Sequence, residues 1–473
     1  MSQNGGNMFP AKAEKPEVLY EVKAQRGGFD KPDTLRCKGW KQETILRMLE
    51  NNMENAEIPE MLVIYGGNGK CARNWESYYA IIESLKNLEN DETLVIQSGM
   101  PVAVFKTHNL APRVVMATTN IMKATWERFY DLQDKNLTIF AQYTAAPWEY
   151  IGTQGVIEGT FETLSAIVLK KGWDNDMHGK IFLTAGAGGM GGNQTWAGKM
   201  HGAVVILADA DERVIDRRIS KDYMDMKVHS LDEAWKIAKE HMDAKKPCAV
   251  AYHGNVVDLL EYLYEKDVHV DLMSDQTSCH MAHDGGYCPQ GLTFEERTEM
   301  LDKDPEGFRK LVDKTLQHHY EMICKFHEKG TYFFDYGNAF LKSVYDAGVQ
   351  SICKNGENDL DGFVFPSYVE DILGPFLFDF GYGPFRWCCL SRKPEDLDKT
   401  DAAAADYIKA HNRRYQDHDN YVWLRDAKKN KMVVGTQCRI LYQDAMGRMN
   451  LALKFNEMVR NGEIGPVILG RDH

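Results

Sequence analysis

Three absences narrow the field first. The sequence has no excess of positive charge: 56 Lys and Arg stand against 69 Asp and Glu, a formal net charge of −13. Phosphate backbones bind positive surfaces, so nucleic acid is excluded as the principal partner. No apolar run approaches the roughly 18–20 residues of a membrane span, so no membrane partner is expected. The ten cysteines contain no C-x-x-C pair, and the opening residues MSQNGGNMFPAKAEKPE carry no apolar segment of a secretory signal. A cytoplasmic chain with reduced thiols is therefore expected. Also missing are a G-x-S-x-G elbow, a Ser/His/Asp order, a carboxylate pair at glycosidase spacing, an internal repeat and a low-complexity segment. A triad hydrolase finds no support.

What is present reads as a folded α/β protein. At 473 residues, with 44% hydrophobic and 26% charged residues, the chain is too long for one core and points to two or three domains. Apolar residues spaced as one helix face run from Lys41 to Asn51 and from Trp75 to Leu88. Short β-rich runs lie at Met61–Tyr65, Thr93–Ile96 and Val114–Met116. From Lys180 onward the alternation is regular: strands at 181–184, 204–207, 249–252 and 270–273, with helices at 194–203, 231–245 and 257–266 between them. A longer amphipathic helix covers Pro305 to Glu328 and stops before Gly330. Residues near 151–350 thus form a complete α/β module between two flanking parts.

Gly186 to Gly191 matches G-x-G-x-x-G. The pattern is weak alone but here leaves a strand, enters a helix, and is followed 18 residues after Gly191 by Asp209 at a strand end. That setting suits a pyrophosphate at a helix N-terminus and an adenosine ribose on the acid, favouring NAD over NADP. A second cluster, Tyr65-Gly66-Gly67-Asn68-Gly69-Lys70, lacks the spacer and the hydroxyl of a nucleotide-triphosphate loop; it suits either a close backbone approach to a ligand or a plain turn. Cys279, His280 and His283 lie in a loop dense in hydroxyl, amide and imidazole groups, without zinc-ligand spacing; no metal is expected. In Gly383-Pro384-Phe385-Arg386-Trp387 an arginine sits between a rigid turn and aromatics, suited equally to a substrate carboxylate or a structural ion pair.

Taken together, these motifs resemble the urocanase (urocanate hydratase) family. The resemblance is carried by Cys37-Lys38-Gly39-Trp40, Tyr65 to Lys70 with Ala72 to Glu76, Gln97-Ser98-Gly99, and Tyr150 to Gly155. Leu183 to Gly192, Asp275 to Ser278, Phe334 to Asn338, Gly383 to Trp387, Phe455 to Arg460 and Gly470 to His473 follow in the same order. It implies a homodimer whose core domain (1–150 and 351–473) is interrupted by a Rossmann-like NAD-binding domain with a parallel sheet (151–350). It implies a hydro-lyase of histidine catabolism that adds water to urocanate, a small-molecule substrate, to give 4-imidazolone-5-propanoate, with tightly held NAD⁺ as an electrophile. Carried over position by position, Gly66, Gly67, Gln142, Gly189, Met190, Gly191, Asp209, Arg213, Asn255, Val256, Gln276, Thr277, Ser278, Cys279, His280, Tyr287, Cys288 and Tyr336 would touch the cofactor. Tyr65 would lie near the reacting ring, Arg386 would hold the substrate carboxylate, and Asp472 would stand beside the active site.

The sequence departs from the family pattern in three places. The family cysteine of an Arg-Ile-Cys triplet is Leu441 here, with Cys438 three residues earlier; either Cys438 takes the role after a local shift or it is an inert core residue. Pocket segments read Ala141-Gln142-Tyr143-Thr144-Ala145-Ala146-Pro147-Trp148 and Met281-Ala282-His283-Asp284-Gly285-Gly286-Tyr287, which opens a thiolated or methylated urocanate as an alternative substrate. The family continues for several dozen residues past the position of His473, so a truncated core domain is expected. An NAD-dependent dehydrogenase and a non-catalytic NAD-binding homologue are the remaining alternatives.

Overall fold

The computed structural model describes residues 22–28, 34–65, 68–119, 121–123, 125–142, 144–152, 154–174, 176–337, 339–430, 432 and 437–471. Gly66, Gly67 and Asp472, three of the expected site residues, lie outside them. Contacts group the chain into two units, Met1–Tyr150 and Ile151–His473.

In the first unit, α1 (Trp40–Glu54) buries Leu46, Leu49 and Met53 at the alternating three- and four-residue spacing of one helix face. Its Glu43 is fully buried yet bonded by Arg36 Nη2 and Arg47 Nε, each at 2.9 Å, which offsets the cost of removing its charge from water. A short hairpin follows, β1 (Val63–Tyr65) and β2 (Gly69–Lys70). Helix α2 (Trp75–Asn87) is capped by Asn74, whose side chain accepts from Ser77 N at 2.8 Å. A three-stranded sheet then places β3 (Glu92–Gln97) between antiparallel β4 (Met100–Lys106) and parallel β5 (Val114–Ala117). Helix α3 (Trp126–Asp134) precedes a turn in which buried Trp148 donates to the Cys71 carbonyl at 2.8 Å.

The second unit opens with α4 (Gln154–Lys171), buried on nearly every side, as expected of a helix enclosed by packing rather than lying at a surface. Six parallel strands follow: β6 (Ile181–Ala185), β7 (Val204–Asp209), β8 (Met226–Val228), β9 (Cys248–His253), β10 (Leu272–Asp275) and β11 (Tyr332–Asp335). The helices between them are α5 (Gly192–Met200), α6 (Glu212–Ile219), α7 (Leu231–Asp243), α8 (Val256–Glu265), α9 (Phe294–Lys303) and α10 (Pro305–Glu328). The sheet order is β11-β10-β6-β7-β9-β8. Because β6 is flanked by β7 on one side and β10 on the other, the direction of winding reverses there, and the crevice beyond the strands' carboxyl ends opens at that point. The central strands are uninterrupted apolar runs, as a sheet covered on both faces requires.

The chain then passes through α11 (Ala339–Asp346) and a short turn α12 (Gly374–Phe376) into a small antiparallel sheet. There β12 (Gly383–Cys389) is central, between β13 (Cys438–Gln443) and β14 (Val467–Arg471), with α13 (Pro394–Ala410), α14 (Tyr415–Asp426) and α15 (Ala445–Arg460) packed around it. Sequence periodicity places four of the six parallel strands within a few residues, while β8 and β11 are not anticipated by it. The fifth parallel strand, expected at 270–273, is found at Leu272–Asp275. Val270 instead gives its carbonyl to the Thr331 hydroxyl at 2.7 Å, and the Asp271 carboxylate takes the Ile181 amide at 2.9 Å, so the ladder begins only at Leu272.

His319 on α10 is 2% exposed, edge-on to Phe340, with Nδ1 3.1 Å from the Tyr287 hydroxyl. Burial pushes its pKa down to about 3. The stability it contributes is complete above the ordinary histidine value of about 6.5 and is lost as pH falls and the unfolded chain takes up the proton. The destabilisation caused by His319→Gln should therefore shrink by about 2 kcal/mol between about pH 7.5 and pH 5. Urea titrations of both proteins at the two pH values measure this; a difference independent of pH contradicts a neutral buried imidazole.

Candidate functional site

At the reversal point, backbone meets backbone. Gly186 has φ +87°, and a Cβ there would come within 2.5 Å of the Gln276 carbonyl oxygen. A Cβ on Gly191 would lie 2.0 Å from the Gly186 oxygen. Glycine is thus required at Gly186 by contact and by its positive φ, and at Gly191, which is helical at φ −66°, by contact alone. Gly188 and Gly189 differ: a Cβ on either would meet nothing within 4 Å. The turn leaves open space on its outer side, at the N-terminus of α5, where backbone amides and the helix dipole favour an anion.

Side chains hold this turn in place. Asp209, at the end of β7, accepts from Ala187 N at 2.6 Å and from Asp211 N at 2.7 Å, and burial raises its pKa to about 6. Its carboxylate clasps the glycine turn, and only its remaining lone pairs are left for a ribose hydroxyl. Arg218, 7% exposed, donates to the carbonyls of Ala187 at 3.0 Å and Gly188 at 2.6 Å. Arg213, the expected contact, lies on the other side of α6. Its side chain is 74% exposed, paired with Asp211 and stacked near Phe294. Arg218 falls three residues after Ile215 on the buried face of α6, the periodic signal that distinguishes the two arginines. A buried triangle of Thr184, Ser274 and Gln194 ties β6, β10 and α5 together.

The loop after β10 supplies the facing wall. Gln276 bonds back to Ala185 O through its amide, and Thr277 closes on the Asp275 carboxylate through both its amide (2.9 Å) and its hydroxyl (2.5 Å). Burial raises the Asp275 pKa to about 6. Among the described residues, the buried atoms Asn193 Oδ1, Asp275 Oδ2, Gln276 Oε1 and His280 Nε2 have no hydrogen-bond partner. Such atoms are costly unless something bonds them, and Asn193 and Gln276 lie directly beside the open glycine turn. Burial also lowers the His280 pKa, keeping its imidazole neutral.

Not every expected contact faces this opening. Ser278 sits at the head of a short 3₁₀ turn from which Cys279 turns into the apolar core and His283 turns to Asp313 at 2.6 Å; the three ring and thiol groups of that loop therefore part rather than converge. Tyr287 is fully buried against His319, and the Cys288 thiol points at loop carbonyls with its pKa raised by burial to about 11. Asn255 caps α8 through Val257 N at 2.8 Å and donates to Cys288 O at 2.9 Å, with Val256 buried beside it. Met190 lies in the turn itself. In the first unit, Tyr65 stacks on Tyr150 (4.9 Å) with its hydroxyl 3.3 Å from Thr144 Oγ1, and the buried Gln142 Oε1 has no partner among the described residues.

A second cluster of the 151–473 unit was only partly legible. Arg386 on β12 is 7% exposed, and its Nη2 lies where a Cβ on Gly155 would approach to 3.1 Å. One turn along α4, a Cβ on Gly159 would approach the Tyr442 hydroxyl to 2.9 Å. These two small residues let the arginine and the phenol reach the helix. Glu158 lies between them, fully buried, with neither carboxyl oxygen bonded among the described residues. Burial pushes its pKa well above the carboxylate range although Arg439 and Arg386 oppose the shift. Tyr336 stacks on Tyr368 at 4.4 Å and shares a 2.7 Å bond with Thr160, its pKa raised by burial to about 12. Of this group only Arg386 and Tyr336 are singled out by sequence; Glu158, Tyr368 and Tyr442 have no motif to mark them.

Register decides the fate of the two departures on β13. Arg386 pairs with Ile440, and Phe385 pairs with Leu441. Leu441 therefore projects to the opposite face from Arg386, the face where Trp387 meets Thr400 and Phe455. Cys438 pairs with Cys388 in register, and the two are joined by a disulfide. This corrects the expectation of uniformly reduced thiols: adjacent strands bring two separate cysteines together. It also removes Cys438 as a free thiol. The other eight cysteines are free.

The chain matches three family models in succession: the urocanase N-terminal domain over residues 24–149, the urocanase Rossmann-like domain over 152–372, and the urocanase C-terminal domain over 376–473. The Rossmann-like match extends past residue 350 because the following segment returns to the sheet, where Asp335 N donates to Pro366 O and Asp335 bridges to Ser367. No helix among the described residues is long and apolar enough to cross a membrane.

The glycine turn yields a paired prediction. Gly191→Ala, whose Cβ meets backbone, should lose both dinucleotide binding and thermal stability. Gly189→Ala should leave stability within about 0.5 kcal/mol while filling the space beside the helix N-terminus and weakening the dinucleotide. Thermal melts and cofactor quantification after acid release measure both; equal behaviour of the two variants contradicts the assignment.

Proposed function

Because the chain belongs to the urocanase family, we propose that it is a hydro-lyase that adds water to urocanate, yielding 4-imidazolone-5-propanoate, with bound NAD⁺ and as a homodimer. The observation that carries this reading is the group of partnerless buried polar atoms beside a glycine turn that has open space at a helix N-terminus. The donor set fits a dinucleotide. The α5 N-terminus with Gly189 to Gly191 would hold the pyrophosphate, Asp209 the adenosine ribose, and Gln276 and His280 the polar edge of the remaining portion. When bound, NAD⁺ supplies an electron-withdrawing pyridinium ring, which a plain imidazole needs before water will attack it.

The chain's own groups would do the rest. Arg386 offers a planar fork of donors to the propenoate carboxylate, held rigid by β12 and the start of α4. The fully buried carboxyl of Glu158, its pKa raised by burial, lies one helical turn from that arginine's contact. The phenols of Tyr336 and Tyr442, both raised by burial, stay protonated and can donate hydrogen bonds. Such a lining orients a small acidic ring and supplies protons without adding charge. The altered segments at 141–148 and 281–287 keep a thiolated or methylated urocanate as the second substrate reading.

Purified protein incubated with urocanate should consume its ultraviolet band without forming NADH. NADH formation would instead indicate a dehydrogenase, and a retained cofactor with no turnover of urocanate or its substituted relatives would indicate a binding protein. Arg386→Ala should raise KM by about 10²-fold with a smaller effect on kcat, matching the loss of a charge-assisted fork. Gly155→Ala should reproduce part of that rise by displacing the guanidinium. Unchanged kinetics in both variants would remove Arg386 from the substrate site.

A further inference from the structure

We propose that Glu212, His229 and His253 form a binding site for a divalent cation of borderline softness, zinc above all. The three residues come from three elements that meet at the carboxyl end of the sheet's outer edge. Glu212 is the first residue of α6, His229 follows β8, and His253 ends β9. Parallel pairing sets Val228 opposite Tyr252, which brings the next residues, His229 and His253, side by side. One ligand atom from each of the three lies within 4.8 Å of the other two.

The two imidazoles already meet at a ligand-like spacing. The two Nδ1 atoms are 3.2 Å apart, and the rings cross at 82°. Ligands on a tetrahedral zinc with bonds of about 2.0–2.1 Å stand about 3.3 Å from each other. His253 donates Nε2–H to the Ala210 carbonyl at 3.2 Å, which fixes the tautomer with a lone pair on Nδ1. Metal-ligating histidines are oriented by this kind of outer hydrogen bond. Glu212 Oε1 lies 3.4 Å from His229 Nε2, the ring nitrogen other than the one facing His253, and adds negative charge. His229 is 61% exposed on its side chain, so its ring is free to turn toward an ion and a water can complete the coordination.

Lys227 occupies the place of the cation's charge, with Nζ 2.7 Å from Glu212 Oε1 and 2.5 Å from Asp216 Oδ1. An arriving ion displaces it from Glu212, and Asp216 retains it. This competition gives the site a signature that a merely structural cluster lacks: removing the lysine should strengthen binding. The inference does not rest on the proposed activity, since it uses none of the residues assigned to it.

The test uses the full-length protein, free of any histidine tag, titrated with zinc chloride against a chromophoric chelator. The expected result is about one zinc per chain, with affinity lowered about tenfold or more in His229→Ala and in His253→Ala, and raised in Lys227→Met. Cobalt(II) in place of zinc should show d–d absorption without a thiolate charge-transfer band, which distinguishes the site from cysteine. His229 is exposed, so its variant should melt with the parent; should His253→Ala fail to fold, His229→Ala and the cobalt spectrum decide. Absence of binding at about 50 µM zinc, an affinity unmoved by the histidine variants, or a thiolate band would overturn the proposal.

Discussion

The arrangement of the 151–473 unit depends on one close approach: the backbone of Gly186 against that of Gln276, with no room for a side chain between them. That contact sets the loop after β6 against the loop after β10 at the place where the sheet changes its direction of winding. Everything that makes the opening a site follows from it. The turn is pulled inward, so the outer positions 188 and 189 are left open, and the amides at the head of α5 face that opening. Gln276, Thr277 and His280 are brought to the opposite wall. Asp209 and Arg218 then clamp the turn from the two sides, one accepting from its amides and the other donating to its carbonyls. A turn fixed from both sides needs no rearrangement when a ligand arrives, and that lowers the entropic cost of binding.

Helix α4 raises a different physical problem. It buries Glu158, Glu162 and Thr160 in a unit whose interior should disfavour them, and Asp419 from α14 adds a further carboxyl whose pKa rises to about 7. A structural role alone explains this poorly, because apolar residues of similar size would fill the same volume at less cost. Burial raises the pKa of both Glu158 and Glu162, which favours their uncharged form. Neutral acids beside a guanidinium and several phenols make a lining rich in donors.

Much of this was legible in the sequence, and the reasons are specific. Strands β6 and β7 are recognisable because a sheet covered on both faces needs continuous apolar runs, and Gly186 to Gly191 is recognisable because a tight turn and a close approach both demand glycine. Arg386 stands out because rigid and aromatic neighbours flank it. Glu158 did not stand out, since an acid at a helical position reads as solvated surface until the packing around α4 is known. Arg218 carries no motif; the buried face of α6 fixed by Ile215 is what shows that it, rather than Arg213, turns toward the glycine turn. Glu212, His229 and His253 carry no motif at all, because strand pairing, not sequence proximity, brings them together. The disulfide was missed for the same reason.

The leucine at position 441 reads from sequence as the loss of a functional group. The register argues otherwise for the arginine site. Side chains alternate along β13, and the residue paired with Arg386 is Ile440. A side chain at 441 belongs to the layer of Trp387, Phe455 and α13, where it is fully buried among apolar neighbours. A cysteine on that face, in this strand register, would not reach the guanidinium or the acid of α4, and an apolar leucine suits the layer better than a thiol. The groups able to move protons near Arg386 are instead Glu158, Tyr336 and Tyr442, none of which depends on position 441. The buried acid and phenols around Arg386 thus belong to the helix and the facing strand, and the leucine at 441 leaves that set of groups intact.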